Sequence, residues 1–187
     1  MKVLFIYPRR SFNCFLAITI CFVIIYSCND TNKTNVSLEK PISQKELKKK
    51  IAEANKIYVK RESDEIDQYV KFHGWNVITT GTGLRYMVLK NGKGKTVLPG
   101  MEATIKYKLK LLDGTLCYSS DSLGTKTFLV EQDNVESGLH EGIQKLREGD
   151  VALFILPSHI AHGLLGDESK IPSHTSVVYE IELLSVR

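Results

Sequence analysis

Hydrophobic and polar positions fall into four regimes along the chain. Residues 11–27, "SFNCFLAITICFVIIYS", are a nearly unbroken apolar run. Residues 29–41, "NDTNKTNVSLEKP", are polar without a period, as a flexible tether would be. From Ser43 the spacing becomes helical. Leu47, Ile51, Ala54 and Tyr58 recur on one stripe, Glu62 interrupts it, and Ile66, Tyr69 and Val70 resume it. Ser43 and Glu46 fit a capping box at its start, and Gly74 fits a stop. This predicts one or two charged amphipathic helices, packed on a domain or holding it off a membrane. A dimerisation or partner surface is the alternative.

Beyond Trp75 the period changes to two. Residues 84–94, "LRYMVLKNGKG", read as a strand and a glycine-rich turn. Ile105, Tyr107, Leu109 and Leu111 face one way while Thr104, Lys106, Lys108 and Lys110 face the other, the mark of a half-buried strand. Asp113-Gly114 signals a hairpin, and Thr115–Tyr118 should return antiparallel. Val135, Leu139, Ile143 and Leu146 form a helical face with Gly149 at its stop. "VALFILP" is an apolar run ended by Pro157, hence a central strand. Val177, Tyr179, Ile181 and Leu183 then share one face of a final strand. Strands, one short helix and more strands predict an α+β domain, a curved antiparallel sheet wrapped on a single helix.

Charge changes the picture at the N-terminus alone. The formal charge is +4, but residues 1–27 contribute Lys2, Arg9 and Arg10 and no acid. The remainder is close to neutral, which argues against nucleic acid as a partner. Ser11–Ser27 is 17 residues, short of the roughly 20 that span a bilayer, and suits a secretory signal. It ends in Ile25-Tyr26-Ser27-Cys28, which resembles a lipoprotein box, with cleavage before Cys28 and lipid on its sulfur. An uncleaved anchor helix is the alternative; either places the body outside the cytoplasm. Cys14 and Cys21 fall inside the same run, leaving Cys117 alone in the body, with no disulfide framework and no paired-cysteine metal spacing.

Several constellations invite chemistry. His159 and His162, with His174 and Asp167 nearby, could share a metal, but no complete ligand set is evident. Ser119, Ser120 and Asp121 with a histidine could suggest a hydrolase, but no nucleophile elbow is present. Cys117 reads as a small core residue rather than a redox thiol, His140 as exposed polar filler, and Lys106, Lys108 and Lys110 as a solvated strand face or edge guard.

Four segments, "IKYKLKLLDGTLCYSS", "GLHEGIQKLREGD", "LPSHIAHG" and "IPSHTSVVYEIELL", resemble in order and spacing those of an FKBP-type peptidyl-prolyl cis–trans isomerase domain, over about residues 84–187. "HGW", "ESGLHEG", "PSHIAHGLLGD" and the lipoprotein start are similar to the gliding-motility-associated lipoprotein isomerases. The resemblance implies a five-stranded antiparallel sheet around a short helix, no cofactor and no metal. It implies an activity on proline-containing polypeptides. Tyr107 then matches a pocket-wall tyrosine, Val135 the pocket edge, Leu139 the floor, Ile171 the loop before the last strand and Tyr179 an aromatic on that strand. The backbone N–H of Glu136 would bind a substrate carbonyl. His162 takes the place of a tyrosine whose hydroxyl donates to a bound carbonyl, a role imidazole can fill. Cys117 and Tyr118 replace a phenylalanine and an aspartate, and Lys126 replaces an aromatic, so the implied pocket is less aromatic than the family's and its activity weaker.

The expected organisation is a lipoprotein signal peptide at 1–27, a tether at 28–42, a helical extension and connector at 43–83 and the isomerase domain at 84–187. The expected function is a prolyl isomerase tethered to a membrane by lipid on Cys28, assisting extracytoplasmic folding. The alternative is a prolyl-peptide-binding chaperone using the same pocket.

Overall fold

The computed structural model describes residues 43–187. The expected signal segment, Cys28 and the tether lie outside the described residues. Helix α1, Gln44–Phe72, begins directly after Ser43. It is followed by strands β1 (Ile78–Thr79), β2 (Arg85–Lys90), β3 (Glu102–Leu111) and β4 (Leu116–Ser119), one-turn helix α2 (Ser120–Leu123), strand β5 (Lys126–Leu129), helix α3 (Ser137–Ile143), strand β6 (Val151–Leu156) and strand β7 (Val177–Val186). No described helix is long and apolar enough to cross a membrane.

The strands form one antiparallel sheet in the order β1-β2-β6-β7-β3-β4, with β5 also on β3. Seven segments stand where five strands were expected, and the difference is small. β4 pairs with residues 108–110 of β3 and β5 with residues 102–105, so the two are one edge line broken by α2. β1 is a two-residue addition from the connector. The predicted hairpin forms: Gly114 takes a positive φ of 88°, and Asp113 Oδ1 accepts the Thr115 N–H at 2.8 Å.

The apolar run of β6 is explained by two cores. Ala152, Phe154 and Leu156 point into the main core with Leu139, Ile143, Leu146, Val177, Tyr179, Ile181 and Leu183. Leu153 and Ile155 point to the opposite face, where Val178 and Ile66 of α1 join them. Burying a Leu or Ile stabilises by about 1.5–3 kcal/mol, so both faces favour the sheet. Helix α3 sits directly on β6 because it presents two glycines. A Cβ on Gly142 would lie 2.5 Å from the Phe154 ring, and one on Gly138 would lie 2.7 Å from Leu156.

Only the second half of α1 packs. Leu47, Ile51 and Tyr58 of the predicted stripe are exposed, whereas Ile66 is fully buried with Tyr69, Val70 and Trp75 around it. Glu62 does not interrupt the stripe but belongs to it: it is 6% exposed and reaches the far loop. A second polar clasp lies alongside, where buried Arg85 donates to Asp67 Oδ1 at 2.8 Å and Ser63 Oγ at 2.6 Å.

Candidate functional site

The twenty residues 157–176 join β6 to β7 and contain one 3-10 turn, Ser158–Ile160. They carry His162 and Ile171. Opposite them the turn before α3 carries Val135 and Glu136, β5 carries Lys126, and the sheet presents Tyr107 from β3 and Tyr179 from β7.

Glu136 is the hub. Its side chain is 8% exposed. Oε1 accepts the Tyr179 hydroxyl at 2.7 Å. His162 Nε2 lies 3.0 Å from the same oxygen, and Lys126 Nζ lies 3.6 Å from Oε2. Burial acts to raise the Glu136 pKa. The His162 imidazole, the Lys126 ammonium and the Tyr179 hydroxyl outweigh it and hold the carboxyl at about 2 rather than 4.5. Burial, reinforced by the Glu136 charge, pushes the Tyr179 and Tyr107 hydroxyls up. The Tyr107 and Tyr179 rings are tilted with centroids 6.1 Å apart.

Over this cluster lies a cavity of about 300 Å³ lined by Lys126, Asn134, Val135, Glu136, Ala161 and His162. Two buried polar atoms at it, Glu136 Oε2 and His162 Nε2, make no hydrogen bond. Each faces a polar partner instead, Lys126 Nζ for the one and Glu136 Oε1 for the other, so one wall of the cavity is a compact polar cluster. Tyr179 and Leu139 are fully buried beneath and do not line the cavity.

The other expected residues form a second cluster. Cys117 is 1% exposed in the core. Tyr118 turns its hydroxyl onto Asp167, which also accepts the N–H groups of Ile171 at 2.7 Å and Ser169 at 3.0 Å. Burial opposes ionisation of Asp167, but these donors hold it at about 2. Lys170 Nζ donates to the Cys117 carbonyl at 2.9 Å and lies over the Tyr118 ring. The carboxylate that β4 lacks at position 118 is thus supplied to that tyrosine by the facing loop.

The competing chemistries disperse. His159 Nε2 lies 2.9 Å from the Thr82 carbonyl, His162 faces Glu136, and His174 packs on the Tyr58 ring, so the three do not share a ligand point. Ser120 Oγ bonds the backbone of Tyr107, and Asp121 pairs with Lys106 and Lys108. Lys110 pairs with Glu180 at 2.6 Å. His140, expected as filler, instead spans a loop: Nδ1 accepts the Glu131 N–H at 2.9 Å and Nε2 donates to the Asp133 carbonyl at 3.0 Å. Sequence reasoning missed the side-chain role of Glu136 and the burial of Glu62. For Glu62 a signal existed, since Glu62, Ile66 and Val70 lie four residues apart on one helix face.

Residues 93–184 match the family model described as FKBP-type peptidyl-prolyl cis-trans isomerase. A probable FKBP-type isomerase FkpA of Neisseria meningitidis is 32% identical over 144 residues, covering 75% of this chain and 52% of that protein. The FkpA of Buchnera aphidicola is 29% identical over 150 residues, covering 76% and 61%. The chain therefore spans about half to three-fifths of the length of these relatives. The crystal structure of FkpA from Escherichia coli superposes with a TM-score of 0.61 at 22% identity, covering 96% of this chain and 84% of that one, a likeness of fold. The fold, the matched segment and these relatives agree: the chain carries a domain of the FKBP-type peptidyl-prolyl cis–trans isomerase family.

Proposed function

We propose that the protein is a peptidyl-prolyl cis–trans isomerase acting on proline-containing polypeptides outside the cytoplasm, tethered by lipid on Cys28. The observation that carries the activity is the buried cluster of Glu136, His162 and Lys126 at a cavity beside the Tyr107–Tyr179 aromatic pair in a domain of this family. Rotation about an X-Pro bond faces a barrier of about 18–20 kcal/mol because the planar amide is resonance-stabilised. The twisted amide has lost that resonance and much of its polarity. A desolvated wall of Val135 and Ala161, with His162 and the Glu136 backbone N–H fixing the flanking carbonyls, favours it over the planar form. Tyr179 holds Glu136 from the core, with the Tyr107 ring beside it and Leu139 buried nearby, while Cys117, Tyr118 and Ile171 order the neighbouring Asp167 cluster. No cofactor enters this chemistry.

A second reading, a prolyl-peptide-binding chaperone with weak catalysis, draws support from the same carboxylate. Glu136, Lys126 and His162 make the cavity mouth polar, which favours binding a planar amide over twisting it. The N-terminal basic and apolar run supports export and anchoring, and the likeness to gliding-motility lipoproteins supports a place in such a machinery. Labelled fatty acid should enter the protein and be lost in Cys28→Ser; unchanged labelling would refute the anchor. Unimpaired surface motility in host cells lacking the protein would refute the gliding role.

The activity test follows cis-to-trans relaxation of short X-Pro peptides with protein beginning just after Cys28. Wild type should accelerate relaxation and His162→Ala should do so far more weakly but measurably, while His162→Tyr should retain or exceed wild-type activity. Folded protein that accelerates no peptide, yet binds prolyl peptides, would replace the enzyme by the binding module.

A further inference from the structure

We infer that Glu62, on the helix that precedes the isomerase domain, is a positioning residue for the loop that carries His162; the inference rests on the proposed activity. The loop of residues 157–176 has one short turn of regular structure. Its two ends meet at Glu62. Oε1 accepts the Ser158 N–H at 2.6 Å and the Ser176 hydroxyl at 2.6 Å, and Oε2 accepts the Ser158 hydroxyl at 3.0 Å. From Ser158 the connection runs directly to the site. The Ser158 carbonyl accepts the N–H of Ala161 at 3.0 Å and of Gly163 at 2.7 Å, and these two residues bracket His162. A carboxylate on α1 therefore fixes the turn that aims the imidazole at the Glu136 cavity.

Docking the helix does not explain Glu62. Ile66 and the Arg85 clasp with Ser63 and Asp67 already hold α1 to the sheet. The Glu62 partners are three neutral donors, and none of the ion pairs among the described residues includes it. Burying a carboxylate without a cation is costly and tolerable only with several donors. An apolar residue at position 62 would extend the Ile66 stripe at no such cost. What the carboxylate adds is a joint between both loop ends, which an apolar side chain cannot make.

The test uses the full chain solubilised in detergent, with Glu62→Ala, Glu62→Gln, Ser176→Ala, His162→Ala, the Glu62→Ala/His162→Ala pair and Asp67→Asn. Two readouts are taken: kcat/KM for X-Pro relaxation and the His162 imidazole resonances by NMR. Glu62→Ala should lower kcat/KM roughly tenfold, since small misplacements near a site are magnified, and should shift His162. The pair should fall no further than His162→Ala alone, the non-additivity of residues acting through one another. Glu62→Gln should restore activity, because its amide can accept at Oε1 and donate to the Ser158 hydroxyl. Ser176→Ala should shift His162 in the same direction as Glu62→Ala, a milder route if that variant folds poorly. Asp67→Asn, which loosens the other clasp, should leave both readouts at wild-type values. Unmoved His162 resonances in folded Glu62→Ala and Ser176→Ala, or fully additive losses in the pair, would overturn the inference. If wild type shows no isomerisation, shifted resonances still uphold the positioning role while the activity reading falls.

Discussion

Protonating Glu136 should cost the fold a defined amount of stability over a defined pH window. The carboxyl sits at about 2 in the folded chain against 4.5 in the unfolded one. A depressed carboxyl contributes stability that is complete above the unfolded value and lost as pH falls toward the folded one. At about 1.4 kcal/mol per unit, the charge is worth about 3 kcal/mol at pH 7, of which about 2 kcal/mol should be gone by pH 3. Glu136→Gln removes the titration while keeping an oxygen for the Tyr179 hydroxyl. Urea unfolding of both proteins at pH 7, 5 and 3 isolates the effect. Asp167 also titrates low but is common to both. Wild type should lose about 2 kcal/mol more than Glu136→Gln between pH 7 and 3. Parallel pH profiles would refute the reasoning and show that Lys126 and His162 do not stabilise the buried charge.

Two further outcomes follow from packing. Gly142→Ala places a methyl against the Phe154 ring and should destabilise by about 1–3 kcal/mol, read by denaturant unfolding; an unchanged midpoint would mean α3 can lift off β6 freely. Cys117 is buried, and burial first, then the Asp167 charge, push its thiol pKa up. In protein beginning after Cys28 it should resist a thiol reagent until denaturant is added, and rapid native labelling would show that the second cluster opens.

Strands β3, β6 and β7 were readable because each carries its burial in its period. The alternation of Ile105 with Lys106 states which side faces the core, and the unbroken run in β6 states that both sides do. Runs of side chains could not reveal where α1 ends its packing, since Leu47 and Ile66 look alike in sequence and differ in whether a sheet lies beneath them. Charged residues misled most. Glu62 and Glu136 read as solvent positions or as backbone donors, yet each is buried against partners far along the chain: Ser158 and Ser176 for the one, Tyr179 and His162 for the other. A local pattern can place Glu62 on the buried helix face, but the donors that satisfy either carboxylate are brought by the tertiary fold. The histidines were the reverse case, close in sequence but turned to different partners by the loop.

Strand order carries a kinetic consequence. β7 lies between β6 and β3, and it alone joins the β1-β2-β6 half of the sheet to the β3-β4-β5 half. It also follows every other described strand in the chain. Until residues 177–186 are available, neither half can close on the other, and the early strands must wait for a partner made last. Pairing across such separations is slow. Vectorial synthesis therefore cannot complete this domain piecemeal: the two half-sheets stay apart until residues 177–186 emerge, and both then close onto that single strand.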